Sequence, residues 1–146
     1  MKSRSFLAVL AVIVAAACGS SQTSSNAPPL QLRLAQTSGS TDMYYFRGVV
    51  PVQFALEISN PTNQSYKLHR INLQSMGPGA YSLRTGDSPI NVTVPANQTI
   101  TVPLTAWARS SGGFLRSSEP VDIRAVAYFD GPSGSFLRQF TTVLPQ

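Results

Sequence analysis

The chain reads as an all-β protein: a single β-sandwich of seven or eight antiparallel strands, carried behind a leader and a short tether. Three observations predict this. From Leu30 onward apolar residues recur at every second position, the period of a strand with one face on a core and one toward water. Clusters of Gly, Pro, Asn, Asp and Ser separate these runs at the spacing of short strands. After residue 18 no stretch carries a helical period. Together they point to an immunoglobulin-like or fibronectin III-like sandwich.

Residues 1–17 come first and do not belong to that domain. Lys2 and Arg4 give a short positive region, Phe6 to Ala17 is an uncharged apolar run of twelve residues, and small residues close it. This is the layout of a secretory signal peptide. The run falls short of the roughly 20 apolar residues that a bilayer core requires. Two cleavages fit the same bond. Ala15-Ala16-Ala17 suits ordinary signal peptidase, which cuts after small-x-small. Ala15-Ala16-Ala17-Cys18 also resembles the bacterial lipobox, with Ala15 where leucine is commonest. That resemblance implies that Cys18 becomes the new N-terminus, with diacylglycerol on its thiol.

The context favours the lipobox. Cys18 is the only cysteine, and an exported chain has no disulfide use for a single thiol. Acyl chains contribute about 0.8 kcal/mol per buried CH₂, and two or more make a stable anchor. By resemblance to enterobacterial lipoproteins, Gly19 after the cysteine implies the outer membrane, facing the periplasm. If Cys18 is not lipidated, the product is exported and soluble. Residues 18–29 then form the lipidated cysteine and a polar tether ending in Pro28-Pro29. As a flexible coil the tether spans roughly 15–20 Å, which keeps the domain close to its membrane.

The domain itself is expected over residues 30–146. Leu30, Leu32 and Leu34 open it. Val52, Phe54, Leu56 and Ile58 form the next run. In Tyr66 to Leu73 the alternation breaks phase: Tyr66 and Leu68 keep one register, Ile71 and Leu73 the other. A bulge near His69-Arg70, or a switch between sheets, reconciles them. Ile90, Val92 and Val94 follow, then Ile100, Val102, Leu104 and Ala106, then Val121, Ile123, Ala125, Ala127 and Phe129. Phe136, Phe140 and Leu144 make a last, less regular strand. Turns are expected at 60–63, 77–79, 85–87, 95–97, 110–113 and 130–134. Pro51 and Pro103 each lack a ladder donor and belong at strand ends, edges or bulges.

Several of these segments resemble a known family. Val52-Gln-Phe-Ala-Leu-Glu-Ile-Ser-Asn-Pro61 is an alternating strand that stops at Asn-Pro. Tyr66 to Leu73 follows, then a turn at Gly86, then Val94-Pro-Ala-Asn-Gln-Thr-Ile-Thr-Val-Pro-Leu104. This order resembles the LEA type 2 domain, also called the WHy (water stress and hypersensitive response) domain, over about residues 46–129. The resemblance implies an Ig-like sandwich, no enzymatic activity and an association with stress protection. It brings no catalytic residues, and the lipobox start is not part of its pattern. Asn-Pro also has a local explanation, since Asn initiates turns and Pro fixes the φ that follows.

Composition narrows function by exclusion. The pI near 9.9 invites nucleic acid. Lys2 and Arg4 leave with the leader, however, and the nine remaining basic residues stand against six acidic ones and are scattered. Nucleic-acid binders concentrate charge in a patch or stripe. An anionic membrane surface or glycan could still profit from the residual positive charge.

No constellation suggests catalysis, a metal, a cofactor or a small-molecule substrate. His69 is the only histidine and has no cysteine partners, whereas zinc sites use three or four ligands. Ser133 lacks the glycine spacing of a nucleophile elbow and reads as a turn residue. Asp122 and Asp130 share a strand face but stand roughly 26 Å apart, too far for paired acid–base work. Asn63, Asn91 and Asn97 match the glycosylation sequon, but behind a bacterial lipobox they mark turns and strands.

One segment is a candidate interaction surface. Phe114 and Leu115 lie in a Ser/Gly-rich connection flanked by Arg109 and Arg116. Apolar tips with basic flanks suit a membrane or an envelope protein partner; the competing reading folds Phe114 back onto the sandwich rim. Tyr44, Tyr45, Phe46 and Arg47 form a second cluster, read as the entry to a strand. The expected protein is therefore a non-enzymatic, membrane-anchored lipoprotein, a stress-protection or interaction module of the cell envelope. The alternative is an accessory lipoprotein subunit of a secretion, pilus or transport complex.

Overall fold

A computed structural model describes residues 27–38, 48–84, 86–110 and 119–145. Every regular element among them is a strand: β1 (Gln31–Ser38), β2 (Gly48–Asn60), β3 (Tyr66–Ser75), β4 (Tyr81–Leu83), β5 (Gly86–Val94), β6 (Gln98–Ser110), β7 (Val121–Gly131) and β8 (Gly134–Leu144). They form two four-stranded antiparallel sheets, ordered β1-β2-β6-β4 and β5-β3-β7-β8. The chain is an all-β, Ig-like sandwich, as its alternation predicts. The leader, Cys18, most of the tether and the 44–47 cluster lie outside the described residues.

The alternation sets the core. Val52, Phe54, Leu56 and Ile58 of β2 are buried, and they face Val121, Ile123, Ala125, Ala127 and Phe129 of β7 in the same core. The small Ala125 and Ala127 leave room for Phe54 and Tyr81, which are among the largest buried side chains. Tyr81 and Leu83 make up β4, an eighth strand that pairs with the end of β6. The turn signals on either side hide it in the sequence, because three residues carry only one full alternation.

Both prolines sit where their missing donor costs nothing. The Arg84 N–H donates to the Trp107 carbonyl at 3.0 Å, so odd-numbered residues of β6 turn toward β4. Pro103 shares that parity but lies beyond the last β4 pair, Leu83 with Ala108. Pro51 is opposite Trp107 and lies past the end of the β1 ladder at Gln53. Each proline is a local edge position.

Three expectations need correction. Gly86 and Asp87 are not a turn: they open β5 and pair with Leu73 and Asn72. The last strand is not irregular either. β8 pairs with β7 without a shift from Gly131–Gly134 to Val121–Leu144. Its inward positions run Phe136, Arg138, Phe140, Thr142, Leu144, and the two polar residues mask the alternation. Arg138 is usable there because its guanidinium donates to the Leu30 carbonyl at 2.7 Å. Ser110 likewise ends β6, buried, rather than starting a turn.

The Asn60-Pro61 corner is the tightest polar feature. Asn60 is only 1% exposed. Its Nδ2 donates to the carbonyls of Gln64 (2.7 Å) and Pro95 (2.8 Å). Its Oδ1 accepts from the Thr62 N–H (3.1 Å) and hydroxyl (2.8 Å). The Asn97 N–H then donates to the Thr62 carbonyl at 2.9 Å, with Asn97 at φ +55°. The β2–β3 and β5–β6 connections are thus locked together across the two sheets, and every amide atom of Asn60 is satisfied.

Candidate functional site

The phase break in β3 is a bulge, and it sets a row of polar side chains on the surface. Register shifts between Leu68 and Arg70 against both neighbours, β5 and β7. Leu68 and Ile71 both point inward, so His69 and Arg70 lie side by side on the outer face. On β5 the matching irregularity holds Asn91 at φ +56°, a conformation asparagine tolerates better than most residues.

Four side chains then join across the sheet. The Ser135 hydroxyl on β8 donates to Asp130 Oδ1 on β7 at 2.6 Å. Asp130 Oδ2 meets His69 Nε2 on β3 at 2.5 Å. His69 Nδ1 stands 3.2 Å from Asn91 Oδ1 on β5. The row is open to water: the His69 and Asp130 side chains are 36% and 48% exposed. The Ser135 hydrogen bond holds the Asp130 carboxyl below its usual range, and the His69 hydrogen bond and the charges of His69 and Lys67 act the same way. Both ring nitrogens of His69 thus face an oxygen, Nε2 that of the Asp130 carboxylate and Nδ1 that of the Asn91 amide.

Beside this row, Arg70 Nη1 donates to Asp87 Oδ2 at 2.9 Å, and its guanidinium lies 4.2 Å from the centre of the Tyr128 ring. Asn72 adds a second hydrogen bond to Asp87. A shallow hollow of about 360 Å³ runs over Arg70, Tyr128, His69, Asp130, Ser135 and Leu137.

The row does not have the order of a Ser–His–Asp triad: the Ser135 hydroxyl donates to the Asp130 carboxylate, and the imidazole nitrogens face Asp130 and Asn91, not a hydroxyl. Asp122 is on the same face as Asp130 but eight residues away along β7. Among the described residues no three His, Cys, Asp or Glu side chains come close enough to share a metal ion. Ser133 occupies the β7–β8 turn.

A second surface lies on the outer face of the other sheet. Arg109 is exposed near the end of β6, opposite Val49 of β2 and Ser82 of β4. Phe114, Leu115 and Arg116 lie outside the described residues. On the same face, two residues before Arg109, is Trp107, the only tryptophan; it is 56% exposed and opposite Pro51. Val49 is 58% exposed. Trp107, Pro51, Val49 and Arg109 thus share one end of the sheet's outer face. Sequence reasoning named Arg109 and passed over Trp107, although continuing the β6 alternation one step past Ala106 places the indole outside.

No protein-family model matches the chain, and no curated protein does. Solved structures of similar fold exist. A Northeast Structural Genomics Consortium target, SoR45, is 11% identical with a TM-score of 0.52, covering 80% of this chain and 85% of its own. A putative ApaA protein from Bordetella pertussis is 9% identical with a TM-score of 0.47, covering 80% and 93%. A protein from Archaeoglobus fulgidus is 14% identical with a TM-score of 0.42, covering 77% and 94%. The first of these shares the sandwich.

Proposed function

We propose that the chain is a non-enzymatic lipoprotein of the bacterial envelope, anchored through Cys18, whose sandwich binds an envelope protein partner. The observation that carries the binding role is the exposed Trp107 near Arg109 on the outer face of the sheet. Tryptophan and arginine are the residue types most enriched at energetically dominant interface positions. A half-exposed indole beside two exposed apolar residues is an unfavourable surface for a free monomer. The non-enzymatic part fits the order of the His69 row, in which no hydroxyl faces the imidazole.

Recovery of cross-linked partners from intact cells tests this reading, comparing the parent chain with Trp107→Ala and Arg109→Glu. The reading predicts one envelope protein recovered with the parent and lost with both variants. Equal recovery with all three chains contradicts it. The LEA type 2 resemblance motivates a second outcome: a strain lacking the gene survives drying or envelope stress less well than its parent.

A further inference from the structure

Each sheet has two edges, and an open edge invites another strand unless something blunts it. Three of the four are blunted. β4 has only three residues. β5 carries Pro89, a register shift and the positive-φ Asn91. β1 carries Arg33 and a register shift between Gln36 and Ser38. β8 is different: it has eleven residues, no proline and no shift, and its one charge, the inward Arg138, is already held by the Leu30 carbonyl. Among the described residues no strand lies beyond it.

The parity of the ladder shows what this edge offers. The Met76 N–H donates to the Asp122 carbonyl at 2.8 Å, so even-numbered residues of β7 turn toward β3. Odd-numbered residues of β7 therefore bond to β8, and they lie opposite the even-numbered residues of β8. Ser135, Leu137, Gln139, Thr141 and Val143 direct both backbone groups away from β7. The same residues carry the strand's outward side chains, with Leu137 42% and Val143 60% exposed.

We propose that β8 pairs antiparallel with β8 of a second copy of this chain, about a two-fold axis at Gln139, joining two four-stranded sheets into one. This register matches every outward N–H with an outward C=O, since 135 falls opposite 143, 137 opposite 141 and 139 opposite itself. It sets Leu137 against Thr141 and pairs the two Gln139 amides. It also disposes of the one charge. Arg138 lies opposite Phe140 of the second copy, not opposite another arginine, while its guanidinium stays on Leu30 of its own chain. An acidic partner strand has less to gain here, because Arg138 points inward. The inference rests on the fold and not on the lipid anchor.

The test uses the full chain in detergent, with Gln139→Cys and, separately, Val143→Cys under mild oxidation, each judged against the parent whose one cysteine is Cys18. A disulfide-linked dimer is expected for Gln139→Cys and not for Val143→Cys, whose opposite residue is Ser135. Light scattering should give twice the chain mass for the parent. Gln139→Pro should halve that mass with an unchanged circular dichroism spectrum, because the donor it removes faces away from β7. The proposal is overturned by a monomeric parent with no Gln139→Cys dimer, by equal linking at 139 and 143, or by Gln139→Cys linking only to a different protein.

Discussion

Two of the polar networks among the described residues are built to opposite specifications. The Asn60 corner is sealed, at 1% exposure: its amide holds Thr62 and Gln64 on one connection and Pro95 on the other, and Asn97 donates back to Thr62. The Asn91–His69–Asp130–Ser135 row is laid across the outer face of one sheet and is open to solvent. Burial decides what each is worth. A buried amide that loses its partners leaves groups water cannot reach, whereas an exposed ion pair is replaced by water at little cost. The corner is therefore part of the fold, and the row is a surface feature the fold tolerates.

Substitutions can break or sharpen that contrast. The largest effect belongs to the corner. Asn60→Ala strips the Pro95 carbonyl of its amide donor, leaves the Gln64 carbonyl only the Thr62 hydroxyl and removes the acceptor for the Thr62 N–H, so it should cost about 2–4 kcal/mol in urea unfolding. A loss below about 1 kcal/mol would mean the corner relaxes and its sealing is immaterial.

Gly131 comes next, because it links the two regions. A Cβ there would stand 2.7 Å from Tyr66 Cδ1, and the Tyr66 hydroxyl is held by Thr62 and Gln64 at the corner. The Tyr66 ring also packs edge-on against Phe136, which stacks on Phe129, so it has little room to yield. Gly131→Ala should cost about 1–3 kcal/mol by overpacking.

The row should give less. The Asp130 carboxyl is held below its usual range by Ser135 first and His69 second. A lowered folded value stabilises the native state above the unfolded value and loses that contribution as pH falls through the folded value. Asp130→Asn should therefore be slightly less stable than the parent at neutral pH, and the difference should close under acid, below the ordinary aspartate value of 3.8. A gap that persists there would show that the row acts through packing. Trp107→Ala should move stability least, within about 0.5 kcal/mol, because the indole is mostly in solvent. Its effect belongs to partner recovery.

The sequence made one half of each network visible. Asn60-Pro61 announces a turn, and the broken alternation announces a bulge at His69-Arg70. Neither tells which residue 35 positions later (Pro95) or 61 positions later (Asp130) will close the network, because those partners are set by sheet order. The strands were legible wherever one face is uniformly apolar, as in β2 and β7. They were not where three residues suffice, as in β4, or where an inward arginine finds a carbonyl, as in β8. Arg109 stands out in the sequence by the charge it places beside Phe114 and Leu115; Trp107 emerges only when the alternation of β6 is carried one residue past Ala106.

The claim on which the functional account turns is the anchor at Cys18. The direct measurement is the intact mass of the mature N-terminal peptide from the membrane fraction, beside a Cys18→Ala control. The account predicts a peptide that begins at Cys18 and carries diacylglycerol, with the control lost from the membrane. A peptide that begins at an unmodified Cys18, on a chain found in the soluble fraction, would contradict it.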